Sequence, residues 1–464
     1  MNDTMDSTVE NVLAAAHHAR RAARRGTATE RATWLRAIAD GLDAGAGELA
    51  DIAHRETALP LPRLRGELVR TAFQARLFAD RLERGTLFEV RVDPADPEWP
   101  MGPRPDIRRT HVPIGPVLVF AASNFPFAFS VAGGDTISAL AAGCPVVVKA
   151  HEGHPELARA TARIVTEGLR GAGAPAGMFG LVEGHDAGVT AVQDRRIRAV
   201  GFTGSEAGGR ALFDLAVSRP DPIPFYGELG STNPVLVTEA GWAARADEIV
   251  AGFTESCTLG SGQFCTQPGV VLVPDLAGFL ERLTLPAVGP MLNQRIEDGY
   301  TAASEAVTSH QDVEIAKTGP SAPGAPSARI LTTSAHAALS DPAIITTEIF
   351  GPASVVVEYR GAEQALAVLE LFEGTLTATV QGAADNDAQV ADALDVLSER
   401  AGRIIWNQWP TGVTVSDAQQ HGGPWPATTA PTSTSVGTAA ALRFARPVAY
   451  QNLPAAVLPE ELRR

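Results

Sequence analysis

From residue 8 to about 85 apolar positions recur at three- and four-residue spacing, as in Trp34, Ile38 and Leu42, among Ala, Leu, Arg and Glu. That is the helical period, so this region reads as helices, punctuated by Pro60 and Pro62. Residues 92–105 are rich in Pro, Asp and Gly and read as an extended connection, followed by the strand-like run 107–112. An extended segment of this kind can pair with a neighbouring subunit. From 115 to 230 the pattern alternates. Short apolar runs at 117–121, 146–149, 180–183 and 197–202 predict strands, and helical patterns fall at about 130–142, 155–170 and 205–217. Such alternation implies a parallel sheet with crossover helices, a nucleotide-binding architecture. Residues 231 to about 412 repeat the α/β pattern as a second unit, and 413–464 form a returning tail through Trp425, Ser435 and Tyr450. The Thr-, Ser- and Pro-rich stretch from Ala427 to Ser435 reads as a surface loop.

Composition narrows the class. A chain of 464 residues, 45% hydrophobic and 20% charged, is globular and long enough for at least two domains. The apolar run 117–132 is interrupted by Ser123, Asn124 and Pro126, so it reads as strand, loop and helix in a core and not as a membrane span. A net charge of −15 argues against nucleic acid as a partner. The three cysteines, Cys144, Cys257 and Cys265, match neither a disulfide framework nor a zinc pattern, so no metal is expected. No signal-peptide apolar region opens the chain, and a cytoplasmic location, where thiols stay reduced, is expected.

Four polar residues stand in Gly- or Pro-marked turns beside these apolar strands. Cys265 lies in Gly262-Gln263-Phe264-Cys265-Thr266, directly before the run 270–273. A cysteine in such a turn, beside backbone N–H groups, favours the thiolate and can act as a nucleophile. Asn124 follows the run 117–120 in Ser123-Asn124-Phe125-Pro126-Phe127. Glu228 ends Phe225-Tyr226-Gly227-Glu228, where apolar neighbours would raise its pKa and suit it to general-base work. Glu348 opens Glu348-Ile349-Phe350-Gly351-Pro352. Lys149, at the end of the buried run 146–148, needs an anion or hydroxyls unless it snorkels to the surface. No G-x-G-x-x-G fingerprint follows the first strand; Gly201-Phe202-Thr203-Gly204-Ser205 stands there instead, a glycine turn feeding a helix. Cys257 and Cys144 read as packed side chains, His151 and His154 as loop histidines, and no histidine stands in a catalytic context.

The order Asn, Glu, Cys, Glu-x-Phe-Gly-Pro resembles the aldehyde dehydrogenase superfamily, from about residue 10 to the C-terminus. The resemblance implies that superfamily's α/β fold: a Rossmann-like cofactor domain with the N-terminal helices (1–230), a catalytic domain (231–412) and a small oligomerisation extension. It implies oxidation of an aldehyde to a carboxylate with NAD or NADP. Cys265 forms a thiohemiacetal and then a thioester, Asn124 and the Cys265 N–H stabilise the oxyanion, and Glu228 activates the hydrolytic water. One oxyanion donor is worth about 3 kcal/mol. Lys149 would hold the cofactor ribose, Glu348 the nicotinamide ribose and Phe350 the ring, with Gly201, Gly204 and Ser205 beside the pyrophosphate. A homodimer or homotetramer is implied. The bland alternatives are a helix N-cap for Ser205 and a turn carboxylate for Glu348.

Within the superfamily, Ser123 to Asp135, Lys149-Ala150-His151, His421-Gly422-Gly423-Pro424 and Tyr450-Gln451-Asn452 resemble the α-ketoglutaric semialdehyde (2,5-dioxovalerate) and NADP-dependent fatty aldehyde dehydrogenases. Two departures stand out. Glu152 replaces a small residue or Pro, and a carboxylate beside the adenosine ribose favours NAD over NADP. Ala430-Pro431-Thr432 replaces an Asp-Ser-Arg run, removing an arginine that could meet a substrate carboxylate. Phe125, Phe127, Phe129 and Phe264 could line an apolar tunnel for medium- or long-chain aldehydes, or pack in the core. A coenzyme A-acylating enzyme would lack Glu228; a non-catalytic binding or structural protein on this fold would lose Cys265, Asn124 or Glu228; a cysteine hydrolase would need a paired histidine.

Overall fold

The first four helices are Asn2–Arg25, Ala28–Ala44, Ala46–Thr57 and Leu61–Glu83 in a computed structural model that describes residues 2–383 and 387–463. The second helix starts at a capping box in which Thr27 and Glu30 satisfy each other's backbone N–H groups. Its apolar stripe, Trp34, Leu35, Ile38 and Leu42, is buried against the stripe of Leu61–Glu83 that contains Leu64, Leu68 and Phe78.

These helices pack on a five-stranded parallel sheet. Its spatial order is Phe179–Val182, Val146–Lys149, Val117–Phe120, Ala199–Thr203, Phe225–Glu228. The central strands are covered on both faces, which is why they read as unbroken Val and Leu runs. The chain leaves the middle strand towards one edge and returns to the other. The direction reverses between Val117–Phe120 and Ala199–Thr203, which opens a crevice at their carboxyl ends.

A seven-stranded sheet follows, ordered Glu314–Thr318, Arg329–Ser334, Ala353–Glu358, Val270–Val273, Val235–Val237, Thr375–Gln381, Ala401–Trp406. It is parallel except at its first pair. A three-stranded antiparallel sheet joins Arg91–Asp93, Ile107–Pro113 and Ala445–Gln451. The sequence-predicted strands at 117–121 and 146–149 are present within a residue of those bounds, while 180–183 and 197–202 are displaced by one or two residues. The helix expected at 130–142 starts at Gly134, because residues 123–133 turn back on themselves after the strand.

One reading holds only in part. Pro431 and Thr432, in the middle of Ala427 to Ser435, are exposed as a surface loop would be, but the ends are buried: Ala427 is 0%, Thr434 4% and Ser435 7% exposed. Its backbone pairs with the last strand of the first sheet, through the Glu228–Thr428 bridge and Leu229 N donating to Ala427 O at 2.8 Å. Small hydroxyl residues here serve a buried hydrogen-bonded wall. No helix among the described residues is long and apolar enough to cross a membrane.

Candidate active site

The carboxyl ends of the first sheet face the amino ends of the second. Asn124, Lys149, Ser205 and Glu228 lie at or just beyond the ends of four first-sheet strands; Cys265 and Glu348 lie just before the starts of two adjacent second-sheet strands.

Gly262 opens the cysteine turn at φ +66°, and a Cβ there would stand 2.1 Å from the carbonyl oxygen of Gly351. Only glycine lets the cysteine turn and the Glu348–Pro352 turn approach so closely. Asn233, itself at φ +49°, fixes the other side. Its Nδ2 donates to Cys265 O at 2.8 Å and Gln267 O at 2.9 Å, and its Oδ1 accepts from Thr377 Oγ1 at 2.9 Å. Gln267 Nε2 donates to Ala353 O at 2.8 Å, and Gln263 Oε1 accepts from Leu292 N at 2.9 Å.

The Cys265 thiol does not stand as a free thiolate. Burial, with the negative charges of Glu228 and Glu348 and a hydrogen bond to Glu228, pushes it well above the usual thiol range. The expectation of a thiolate favoured by backbone N–H groups is therefore corrected: burial first, and then the two carboxylates, outweigh them.

Glu228 is corrected in the opposite direction. Burial pushes its carboxyl up, but His421, a hydrogen bond from Ser435 Oγ and the charge of Arg443 together hold it below the usual value. His421 Nε2 stands 2.9 Å from Glu228 Oε1, off the line of an aligned hydrogen bond, and 3.7 Å from Cys265 Sγ. A ligating atom from each of Glu228, Cys265 and His421 lies within 4.8 Å of the others. A histidine thus does stand in a catalytic context, contrary to the sequence reading. Its position in His421-Gly422-Gly423-Pro424, a motif carried by the resemblance, was the available signal. Nothing in the sequence marks Ser435 or Arg443, which reach Glu228 from the tail.

Asn124 is 8% exposed, and its Nδ2 donates to Gln263 O at 3.3 Å, leaving its second N–H for an oxyanion. Phe125, Phe129 and Phe264 form an edge-to-face row with ring centres 5.6 and 5.2 Å apart. Phe127 does not join them: it is 1% exposed and packed in the core with the N-terminal helices, so for it the core reading holds.

The dinucleotide candidates cluster around the crevice. Lys149 Nζ lies 3.4 Å from Glu152 Oε1. Ser205 is the N-cap of the helix Glu206–Val217, its Oγ accepting from Gly208 N at 3.4 Å. Gly204 lies in the exposed turn, whereas Gly201 lies inside a strand, where a Cβ would come within 2.7 Å of Asp135 Oδ2. Glu348 is pushed up to about 7 by burial, opposed by a hydrogen bond from Ser231 N, and Phe350 is half-buried. A lysine, a carboxylate and a helix N-terminus are a donor and acceptor set that fits ribose hydroxyls and a pyrophosphate. His154 is buried with Nε2 3.1 Å from Ala122 O, and Cys144 and Cys257 are packed in cores.

Comparison with known proteins shows the family and the fold. The sequence profile of the aldehyde dehydrogenase family matches residues 1–424. Alpha-ketoglutaric semialdehyde dehydrogenase 2 of Azospirillum brasilense is 46% identical over 447 residues, covering 93% of this chain and 84% of its own. Alpha-ketoglutaric semialdehyde dehydrogenase of Acinetobacter baylyi is 40% identical over 471 residues, covering 99% and 89%. The crystal structure of an NAD-dependent aldehyde dehydrogenase from Sinorhizobium meliloti shares the fold, with a TM-score of 0.78 at 23% identity, covering 96% of this chain and 87% of that one.

Proposed function

The chain belongs to the aldehyde dehydrogenase family of NAD(P)-dependent oxidoreductases, and from that premise we propose that it oxidises 2,5-dioxovalerate to 2-oxoglutarate through a covalent adduct on Cys265. The meeting of Cys265, Glu228 and His421 within 4.8 Å carries the mechanistic reading; the substrate assignment draws on the two semialdehyde dehydrogenases that the chain resembles.

Because the resting sulfur is a thiol, its proton leaves as the C–S bond forms. Glu228, a carboxylate oxygen of which lies within 4.8 Å of the sulfur, accepts it, with His421 Nε2 facing both groups. The electron pair released from the carbonyl collects on its oxygen, to which Asn124 Nδ2 and the Cys265 N–H donate. When bound in the crevice, a nicotinamide dinucleotide would supply the acceptor for the hydride lost from the adduct carbon, which leaves a thioester on Cys265. Glu228 passes the thiol proton to solvent and, again a carboxylate, takes a proton from water as the water oxygen bonds to the acyl carbon. Cys265 leaves with that proton and the carboxylic acid is freed. Lys149, Glu152, Ser205 and Glu348 would hold the dinucleotide, whose form, NAD or NADP, turns on Glu152.

The aromatic row Phe264, Phe125, Phe129 supports a second reading, a medium- or long-chain aliphatic aldehyde. Reduced-nicotinamide formation is the test, with 2,5-dioxovalerate and with pentanal, each with NAD and NADP, beside Cys265→Ala. The reading expects Cys265-dependent turnover with dioxovalerate preferred. Pentanal as the better substrate would transfer the assignment to aliphatic aldehydes, and turnover by Cys265→Ala would refute the covalent route. The exposed three-stranded sheet supports a homodimer or homotetramer, which particle mass in solution decides.

A further inference from the structure

On the helix Leu61–Glu83, Arg63, Glu67 and Arg70 follow at four- and three-residue spacing, along one face. That face lies against the Asn124 loop. Arg63 Nη2 donates to the carbonyl of Asn124 at 2.7 Å, and Glu67 Oε1 accepts from the backbone N–H groups of Phe127 and Ala128, both at 2.8 Å. Arg70 is used differently. It makes only long contacts, from Nε at 3.4 Å and Nη2 at 3.5 Å, both to Val413 O.

The charges on this face do not balance. Glu67 is the one carboxylate on it, against two guanidinium groups. No carboxylate among the described residues forms an ion pair with Arg63 or Arg70 at salt-bridge distance. Nη1 of each is buried without a hydrogen-bond partner. Both arginines are half-buried, and a guanidinium nitrogen held out of water without a partner is costly, so a surplus charge retained beside a reaction centre calls for an anionic ligand.

Position says which arginine would meet that ligand. Arg63 caps one end of the aromatic row, its guanidinium carbon 4.8 Å from the Phe264 ring centre. Arg70 caps the other, 5.5 Å from the Phe129 ring centre, and Phe129 lies 6.0 Å from the His421 ring that touches Cys265. Burial pushes the Arg70 guanidinium down, and the carboxylates of Glu67 and Glu228 oppose that push. Arg70 is thus linked to Cys265 through Phe129 and His421, on the side of the site that the far end of a short substrate would occupy.

We propose that Arg70 pairs with the carboxylate of the aldehyde substrate, while Arg63 and Glu67 act as positioning residues that hold the Asn124 loop. The proposal rests on the reading of the chain as a 2,5-dioxovalerate dehydrogenase. It replaces the arginine missing at Ala430-Pro431-Thr432 with one from the N-terminal helices, and makes the aromatic row the wall beside a charged anchor.

The test compares wild type, Arg70→Met and Arg70→Lys, reading the ratio of kcat/KM for 2,5-dioxovalerate to that for pentanal, a neutral aldehyde of equal length. The ratio should fall about a hundredfold in Arg70→Met and about tenfold in Arg70→Lys, mostly through KM for dioxovalerate. Arg70→Lys keeps charge and stem, so it decides the matter if Arg70→Met does not fold. A high wild-type ratio that stays within about threefold in the folded variants overturns the role of Arg70 alone. A wild-type ratio near one overturns the substrate reading on which the proposal rests.

Discussion

His421 Nε2 and Glu228 Oε1 lie 2.9 Å apart in a site from which both side chains are screened from solvent. Burial alone would raise the Glu228 carboxyl; this contact, Ser435 and Arg443 reverse the sign. Glu228 therefore stays ionised to lower pH than an ordinary glutamate. In His421→Asn the burial effect is less opposed, the carboxyl rises, and the acid limb of the kcat–pH profile should move to higher pH. Near neutrality kcat should fall about a hundredfold, a typical loss for a proton-transfer group. An acid limb unmoved in His421→Asn would show that the contact does not govern Glu228.

The same carboxylate disfavours ionisation of Cys265. Alkylation of the cofactor-free protein by iodoacetamide should be slow at pH 7 and keep rising above pH 9, the ordinary thiol value. Replacing Glu228 by Gln removes a negative charge beside the sulfur, so the midpoint of the alkylation–pH curve should fall. A midpoint that rises or holds would mean that another group sets the thiol.

Glu348 is half-buried, and desolvation pushes it up to about 7 from 4.5. A carboxyl raised in the folded state holds its proton more tightly there than in the unfolded chain. Its contribution to stability is fully present below about pH 4.5 and is lost as the pH climbs through about 7. Urea denaturation at pH 5 and pH 8 should thus show wild-type protein losing stability relative to Glu348→Gln at the higher pH. Parallel changes in the two proteins would exclude a raised Glu348.

The residues that sequence made legible share one property: each sits in a turn flanked by a run of buried strand residues. Asn124, Glu228, Cys265 and Glu348 stand out because the runs 117–120, 225–227, 270–273 and 353–357 leave few polar positions at the strand ends. His421 and Ser435 lack such a frame, since the tail that carries them forms no strand there and its burial comes from docking onto Glu228 and Leu229. Arg63, Glu67 and Arg70 hide for another reason. On a helix a charged face usually meets solvent, and nothing local reveals that this one is covered by the Asn124 loop. The pKa directions of Glu228 and Cys265 were out of reach because both depend on groups distant in sequence.

Gly262 gives a backbone test. At φ +66° with a carbonyl 2.1 Å from where a Cβ would lie, alanine meets both strain and collision. Gly262→Ala should part the cysteine turn from the Glu348–Pro352 turn, lower stability by about 2 kcal/mol or more, and remove most activity. A variant with unchanged melting temperature and kcat would show that the two turns need not touch.

The proposed role of Glu152 in cofactor choice gives a further test. The residue follows Lys149 by three positions beyond the strand Val146–Lys149, and its carboxylate reaches back to Lys149 Nζ at 3.4 Å, beside the crevice where the five-stranded sheet reverses direction. A carboxylate there accepts from a ribose 2′-hydroxyl, and it repels a 2′-phosphate while neutralising the lysine that could pair with it. Both effects favour NAD. Because the Glu152 side chain is 67% exposed, solvent screens the pair, and the discrimination should be modest. Glu152→Thr removes the repulsion and frees Lys149. The ratio of kcat/KM with NADP to that with NAD should rise about tenfold or more, with the NADP KM falling and kcat little changed, since no reacting atom is touched. Raising the salt concentration should narrow the wild-type preference and leave that of Glu152→Thr nearly constant. Wild-type protein that already favours NADP by a large factor, or a ratio indifferent to Glu152→Thr, would place the choice elsewhere in the crevice.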